Sequence, residues 1–369
     1  MSNVPIFRPS FGNRPDRIVG REDVLQAYAN GLASYTGSRD RSVLITGQRG
    51  MGKTALLLEM ADAAAEAGFV PARVTCGPTM LDDIIDTLQR KGAPFVKDRK
   101  TPIKGFSAGA LGFSFGLTFT DEARNSYGFR AKLEMICERL GDAGKGVALL
   151  VDEVQPASEP IRQLATTYQE LVGDEVNIAI VMAGLPAVIS EVLEEDTLTF
   201  LNRARKIDLG PIPTPAVRAY YATAFKRIGR DIDDPTLDRA AEAVEGFPYL
   251  LQLLGYYLVE YTSEGDRISE PILSRALDAA VTELDANVFG AMLRPLSRAD
   301  MDFLRAMSID SGEPTHVGDL EERLGVSQGH VQSYRRRLID AGLITSPRRG
   351  ELAFVIPQLG TYLQRSSER

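Results

Sequence analysis

The sequence predicts an α/β domain built on a parallel sheet, followed by a small α-helical domain and a winged helix-turn-helix domain. Short apolar runs alternate with helical periodicity as far as about residue 210, which is typical of a parallel sheet covered on both faces. After Pro215 only helical patterns continue, and from about Pro295 a third pattern begins. We therefore place three domains at 1–210, 211–290 and 291–369, with a hairpin-like insert at about 94–125.

The length, charge and composition of the chain exclude several functional classes of protein. The chain has 369 residues, of which 44% are hydrophobic, so several domains can each bury a core. The net charge of −8 indicates that the molecule as a whole is not a polycation that binds nucleic acid through its overall charge. Two cysteines far apart favour a reducing, cytoplasmic setting, and two histidines in the whole chain disfavour a zinc site. The start of the chain lacks a signal-sequence pattern, and no uncharged stretch is long enough for a membrane span, so we expect no membrane association.

The stretch TGQRGMGKTALL, residues 46–57, fits the phosphate-loop pattern G-x-x-x-x-G-K-[ST]. Its glycines allow the backbone to wrap around phosphates with N–H groups pointing inward, and the helix that follows adds its positive amino end. Lys53 would reach the β- and γ-phosphates of ATP or ADP, and Thr54 would offer its hydroxyl to Mg²⁺. A strand-like run before the loop and a helical run after it support this interpretation. The predicted loop contacts are Gly47, Gln48, Arg49, Gly50, Met51, Gly52, Lys53 and Thr54.

Two acids end the apolar run VALLV and suit a second element of an ATPase site. Asp152 would hold Mg²⁺ and its water shell, and Glu153 would activate the attacking water, which together with Lys53 predicts ATP hydrolysis. The alternative is a strand that turns polar where it meets solvent. The next strand ends in Ala183 and Gly184, a position where a polar side chain usually senses the γ-phosphate, so the sensing role is left open.

Arg203 and Arg205 precede a further strand-like run, KIDLG. Either could be an arginine finger, for this site or for the site of a neighbouring subunit. An ordinary solvated strand end explains the same residues equally well.

Several stretches in order resemble a family of bacterial AAA+ ATPases related to archaeal origin-recognition initiators and to STAND regulators. They are FRPSFGNRPDRIVGREDVL, LLVDEVQ, VMAGLP, LGPI, GFPYLLQLLGYYL and LIDAGLITSPRRGELAFVIP, in addition to the phosphate loop. The resemblance implies an AAA+ module, a helical lid and a C-terminal winged helix.

The resemblance also implies residues that contact nucleotide outside the phosphate loop. The segment RIVGRED would pack against adenine, through Ile18 and Val19. Gly246 and Pro248 match the Gly-x-Pro element by which STAND-like lids contact nucleotide. Initiators usually carry an arginine on the lid helix, whereas this helix starts with Pro-Tyr-Leu-Leu, which favours a nucleotide-held switch over a motor.

The last part of the chain reads as three helices and a hairpin, the pattern of a winged helix-turn-helix. Ser327 can cap the third helix. The side chains left exposed on that helix and at the wing tip would suit base edges and phosphates. From residue 297 onward the domain has ten basic and ten acidic residues, so docking to protein is the open alternative. On the third helix we expect Val331, Tyr334, Leu338 and Ile339 inside and Gln328 and Gln332 outside, and the predicted DNA contacts are Arg335, Arg336, Arg348 and Arg349.

The insert carries apolar residues at alternate positions from Leu111 to Phe119, which predicts a β-hairpin with one apolar face. Four basic residues precede it: Lys97, Arg99, Lys100 and Lys104. The hairpin could touch nucleic acid or a partner, cover a sheet edge, or mediate self-association.

Two functions from different classes remain at this point. The first is an ATP-hydrolysing AAA+ protein whose nucleotide state controls a DNA-associated assembly. The second is a STAND-like switch that holds ADP and docks protein through its winged helix.

Overall fold

The computed structural model of the chain describes residues 5–9, 14–96, 113–119, 126–156, 158–310 and 313–367. The chain divides into two compact units, and a boundary falls between Leu209 and Gly210. The sheet unit contains Arg21–Gly47 and Lys53–Leu209. The helical unit contains Met1–Gly20, Gln48–Gly52 and Gly210–Arg369.

The sheet unit is built on five parallel strands in the order β2-β5-β6-β1-β7. All seven residues of β5 and all seven of β6 are buried, so both faces of these strands are covered. The predicted parallel α/β sheet is therefore confirmed. The strands of this unit are β1 (Ser42–Gly47), β2 (Phe69–Thr75), β3 (Phe113–Phe115), β4 (Thr118–Phe119), β5 (Gly146–Asp152), β6 (Ile178–Gly184) and β7 (Arg205–Leu209).

Within the residues that the structure describes, six α-helices accompany this sheet, and their apolar positions recur at helical spacing. The third shows it clearly, because Met80, Ile84, Ile85 and Leu88 lie on one face and are all buried. Acidic residues in its first turn and basic residues in its last turn suit the helix dipole. The helices are α1 (Glu22–Ala33), α2 (Lys53–Glu66), α3 (Met80–Gly92), α4 (Phe129–Asp142), α5 (Glu159–Gly173) and α6 (Pro186–Glu194).

The described part of the insert is an antiparallel hairpin of β3 and β4. Leu117 and Phe119 are buried in the core of the sheet unit. The amide of Gln89 on α3 donates to the Leu117 carbonyl at 2.6 Å. This tip therefore belongs to the core of the unit, while the four predicted basic residues lie outside the described residues, as do all of 97–112 and 120–125.

The helical patterns that continue after Pro215 correspond to four α-helices of the helical unit. The prediction that strands stop there is wrong, because two two-residue strands pair in parallel before α8 and α10. Such short strands carry no periodicity that a sequence could reveal, and Arg267 supports them by ion pairs to Asp231 and Asp233. The elements are α7 (Thr214–Arg227), β8 (Asp231–Ile232), α8 (Asp234–Ala243), α9 (Pro248–Glu260), β9 (Arg267–Ile268) and α10 (Glu270–Leu284).

The C-terminal part of the helical unit contains the three helices and the hairpin that the sequence predicts. A π-helical segment, Asp285–Phe289, continues α10 into α11. Ser297 and Asp300 form a reciprocal capping box at the start of α12. Three short strands pair antiparallel in the order β10-β12-β11. The elements are α11 (Gly290–Leu293), α12 (Arg298–Ser308), β10 (Thr315–His316), α13 (Val317–Leu324), α14 (Gln328–Asp340), β11 (Ile344–Thr345), β12 (Glu351–Phe354) and α15 (Leu359–Ser367).

Among the residues that the structure describes, no helix has the length and apolar character needed to cross a membrane.

Candidate nucleotide site and C-terminal basic face

The glycine-rich loop follows β1 directly and leads into α2. Gly50 and Gly52 have φ angles of 79° and 84°, in the left-handed region that an L side chain enters only at a cost. The ammonium of Lys53, at the first position of α2, donates to the Gly47 carbonyl at 2.7 Å. This hydrogen bond links the first residue of the loop to the last. It places the lysine ammonium at the carboxyl end of β1, next to the amino end of α2.

The second half of this site comes from β5. The Thr54 hydroxyl donates to Oδ2 of Asp152 at 2.7 Å, although the two residues are 98 positions apart in the chain. Asp152 is only 4% exposed, and its other oxygen accepts the backbone N–H of Glu153 at 2.9 Å. This hydroxyl and this carboxylate oxygen meet at the carboxyl end of β5, and oxygen ligands of these types suit Mg²⁺.

Glu153 is exposed and has a φ of 53°, which is unusual for a residue with a side chain. Strain of this kind costs about 1–3 kcal/mol and concentrates at functional sites. The backbone on both sides is held, since Cys76 N–H donates to the Asp152 carbonyl and Val154 N–H to the Ala183 carbonyl. The acid that we predict as the base is therefore set at the strand end by a conformation that glycine would adopt more easily.

The neighbouring strand end offers no polar side chain. Ala183 and Gly184 end β6, and a Cβ placed on Gly184 would lie 3.2 Å from Ile189. This close packing leaves little space for a longer side chain there, in keeping with the open sensing role. A polar pair lies instead on the other side of β1, where the Thr46 hydroxyl donates to Asp208 of β7 at 3.0 Å. Sequence reasoning missed this pair, because only strand register brings the two residues together.

In the helical unit, the segment that includes Ile18 and Val19 lies against the linker after β7. Val19 is buried and Ile18 is half-buried. A Cβ on Gly20 would meet Ile212 at 3.3 Å and Pro213 at 3.4 Å.

The same linker holds the Gly-x-Pro element. Ile212 N–H donates to the Gly246 carbonyl at 2.8 Å, and a Cβ on Gly246 would come within 2.5 Å of the Ile212 carbonyl oxygen. Position 246, with a φ of 69°, therefore requires glycine for both conformation and space. The linker thus brings together the two segments for which the family resemblance implies nucleotide contact.

Phe247, the middle residue of that element, is the functional candidate that sequence reasoning missed. Its side chain is 2% exposed, and a Cβ placed on Gly50 of the glycine-rich loop would lie 2.5 Å from its ring. Pro248 lies next to the loop as well, with its Cγ 3.9 Å from a Cβ placed on Gly52. An aromatic residue between Gly and Pro was the available signal, because aromatic side chains bury large apolar areas and dominate cores and interfaces.

The two arginine-finger candidates differ in position. Arg205 pairs with Asp40 at 3.0 Å and lies beside Val43 of β1. Four residues of parallel strand, roughly 13 Å at 3.3 Å per residue, separate that register position from Gly47. A finger reaching this chain's own site from Arg205 does not fit that geometry. Arg203 is exposed just before β7, and a role for it at a neighbouring subunit's site stays a prediction.

On the C-terminal face, the predicted DNA contacts Arg336, Arg348 and Arg349 are exposed, whereas Arg335 is half-buried. Its guanidinium donates to Ser346 at 3.3 Å, and the Ser346 hydroxyl donates to the carbonyl of Arg348 at 3.0 Å. Arg335 therefore ties α14 to the turn between β11 and β12. Ser327 also differs from expectation, because its hydroxyl contacts the His330 ring at 2.9 Å instead of the helix backbone.

Comparison with family models gives two matches. Residues 17–181 match the model described as the AAA ATPase domain. The matched residues include the glycine-rich loop and the end of β5. Residues 286–363 match a model described as a domain of unknown function, DUF8462. No curated protein matches the chain in sequence.

Solved structures resemble the chain over nearly its whole length. The Walker-type ATPase PABY2304 of Pyrococcus abyssi matches with a TM-score of 0.65 at 18% identity, over 95% of this chain and 97% of that one. The ORC2 protein of Aeropyrum pernix, in ADPNP–ADP complexes, matches with a TM-score of 0.60 at 14% identity, over 99% of this chain and 100% of that one. At these identities the likeness establishes the fold alone: a parallel-sheet α/β core that matches those of AAA+ P-loop ATPases, followed by a helical C-terminal region.

Proposed function

We propose that this chain binds ATP and ADP with Mg²⁺ and hydrolyses ATP, and that its nucleotide state controls a DNA-associated assembly. The contact between the Thr54 hydroxyl and the buried Asp152 carboxylate is the observation that carries the proposal. It joins the residue after the loop lysine to the end of β5, as a Mg²⁺–phosphate site requires. The ORC2 protein of similar fold was solved in ADPNP–ADP complexes, which supports nucleotide as the ligand.

In this mechanism the backbone N–H groups of the loop and the amino end of α2 bind the phosphates. Lys53 contributes a positive charge, and Thr54 and Asp152 would hold Mg²⁺, which neutralises charge on the phosphate oxygens. Glu153 accepts a proton from the attacking water at its carboxylate. Its exposed position at the strand end leaves that carboxylate accessible to water.

Residues 291–369 form the winged helix-turn-helix in this proposal, with α14 as the third helix and the β11–β12 hairpin as the wing. Arg336, Arg348 and Arg349 offer three exposed cations on α14 and the wing turn. Phosphate contacts by such residues position a protein on duplex DNA, and base contacts supply the sequence preference.

A second function is favoured by a specific observation, the packing of Phe247 against Gly50. A lid element lying on the phosphate loop, on a helix that starts without arginine, suits a protein that holds nucleotide tightly and turns over slowly. In that case the C-terminal region would dock protein, as the STAND resemblance implies.

The test measures ADP binding and phosphate release from ATP in the full chain. Lys53→Ala is expected to weaken ADP binding, because it removes the charge on the phosphates. Glu153→Gln is expected to retain binding and lose hydrolysis by about 10²–10⁴-fold, because an amide cannot accept the proton. Glu175→Gln makes the same chemical change at another exposed, left-handed position and serves as the matched control. Hydrolysis by Glu153→Gln at the parent rate would remove Glu153 as the base.

A further inference from the structure

We propose that the coupling segment, Glu245–Pro248, transmits nucleotide occupancy from the glycine-rich loop to the C-terminal region by contacting both. The inference rests on the proposed nucleotide site and assigns its regulation. All contacts that support it lie within the helical unit.

The first contact is apolar. Phe247 is almost fully buried, and a Cβ on Gly50 would lie 2.5 Å from its ring, so the ring and the loop backbone are in close contact. The backbone on either side is held by Gly246, which bonds Ile212, and by Phe247 N–H, which donates to Val244 at 2.9 Å. Any change in the loop around Gly50 therefore meets a ring that has little room to move.

The second contact is polar and lies two residues before the ring. The Gln358 side-chain amide donates to the Glu245 carboxylate at 2.8 Å, joining residues 113 positions apart. A hydrogen bond to a carboxylate is stronger than one between neutral groups. Gln358 directly precedes α15, and its carbonyl accepts the Tyr362 N–H at 2.9 Å, so it starts that helix.

Both partners have a backbone that is rare for residues with side chains. Glu245 has a φ of 49° and Gln358 a φ of 65°. The described residues include only two other non-glycine positions of this kind, and one of them is Glu153. Such conformations persist where the surroundings impose them, and they cluster at switch regions. Because Glu245 and Gln358 are hydrogen-bonded to each other, we infer that this contact helps to hold both backbones in their left-handed conformations.

The helix that follows Gln358 packs into the core of the C-terminal region. Leu359 and Leu363 of α15 are fully buried, and the Tyr362 ring lies 5.2 Å from Phe289. Phe289 ends the π-helical segment that joins α10 to α11. A shift of Gln358 therefore acts at the first residue of a packed helix rather than on a surface loop.

The experiment follows amide hydrogen exchange of the full chain with and without ADP, in peptides covering 244–250 and 355–363. In the parent protein we expect ADP to slow exchange in both segments, by about fivefold or more, the low end of allosteric coupling. Gln358→Glu places two carboxylates face to face and is expected to retain the ADP effect at 244–250 and lose it at 355–363. The double variant Glu245→Gln/Gln358→Glu restores an amide–carboxylate pair in the reverse sense and is expected to restore the effect. Glu242→Gln, at an exposed position of α8 three residues before Glu245, is the control and is expected to behave as the parent.

The outcomes separate this inference from the function on which it rests. If ADP binds but slows exchange only at 244–250 in the parent, the coupling is refuted and the nucleotide site stands. The coupling is also refuted if Gln358→Glu behaves as the parent, or if the double variant fails to restore the effect. If a direct titration shows that ADP does not bind the parent, the proposed function fails and the coupling falls with it.

Discussion

Replacing Glu153 by glycine should make the protein more stable and less active at once. A side chain in the left-handed region costs about 1–2 kcal/mol relative to glycine, and Glu153 has a φ of 53°. Glycine also raises the conformational entropy of the unfolded chain. This lowers the free energy of unfolding by about 0.5–1 kcal/mol and offsets part of the gain. The net stabilisation is therefore about 1 kcal/mol, or about 2–4 °C in the melting temperature of a domain of 150–250 residues.

Calorimetry and phosphate release, measured on the same samples, test this prediction. Glu175→Gly is the matched control, because Glu175 is exposed and has a φ of 59° in the same unit. Both variants should gain stability by a similar amount, but only Glu153→Gly should lose hydrolysis, by about 10²–10⁴-fold. A stabilised Glu153→Gly variant with unchanged hydrolysis would refute the catalytic role. A Glu153→Gly variant less stable than the parent, beside a stabilised control, would refute the assignment of strain.

Three further predictions concern the helical unit. Arg348→Ala/Arg349→Ala should weaken duplex DNA binding similarly on all sequences and make the salt dependence shallower by about two units, which a titration at several salt concentrations would measure. Arg335→Lys loses the planar fork that holds the wing serine, so affinity should fall across a panel of duplexes with unchanged base preference; a preference change at one base pair would contradict this role. Gly255→Ala should lower the free energy of unfolding, measured by thermal melting, by about 1–3 kcal/mol, because its Cβ would lie 2.3 Å from the Phe7 ring. Adding Phe7→Leu to this variant should recover part of the loss.

The parts of the fold that follow from periodicity could be predicted from the sequence. The uniformly apolar runs at β5 and β6 are buried on both faces, and the helical spacing of residues 80–88 gives one buried stripe. The paired strands β8 and β9 could not be predicted, because two residues contain no period. Their pairing depends on the turns before two helices, which only the folded chain brings together.

The candidate site divides in the same way. The spacing of the glycine-rich loop, and the acids after an apolar strand, identify residues by local pattern, so Lys53 and Asp152 could be predicted. The packing of Phe247 against the loop could not be predicted, because its partner Gly50 is distant in sequence and contributes only backbone. The contact between Arg335 and Ser346 could not be predicted for a related reason. A helical wheel shows which face a side chain occupies, but not that a turn residue folds back to bind it.

One comparison tests whether nucleotide state controls binding to DNA. The Glu153→Gln variant, which should bind ATP without hydrolysing it, is titrated with duplex DNA in the presence of ATP and again in the presence of ADP, at the same salt concentration. We expect the two dissociation constants to differ by about fivefold or more, the lower end of allosteric coupling. Equal dissociation constants with both nucleotides bound would contradict it.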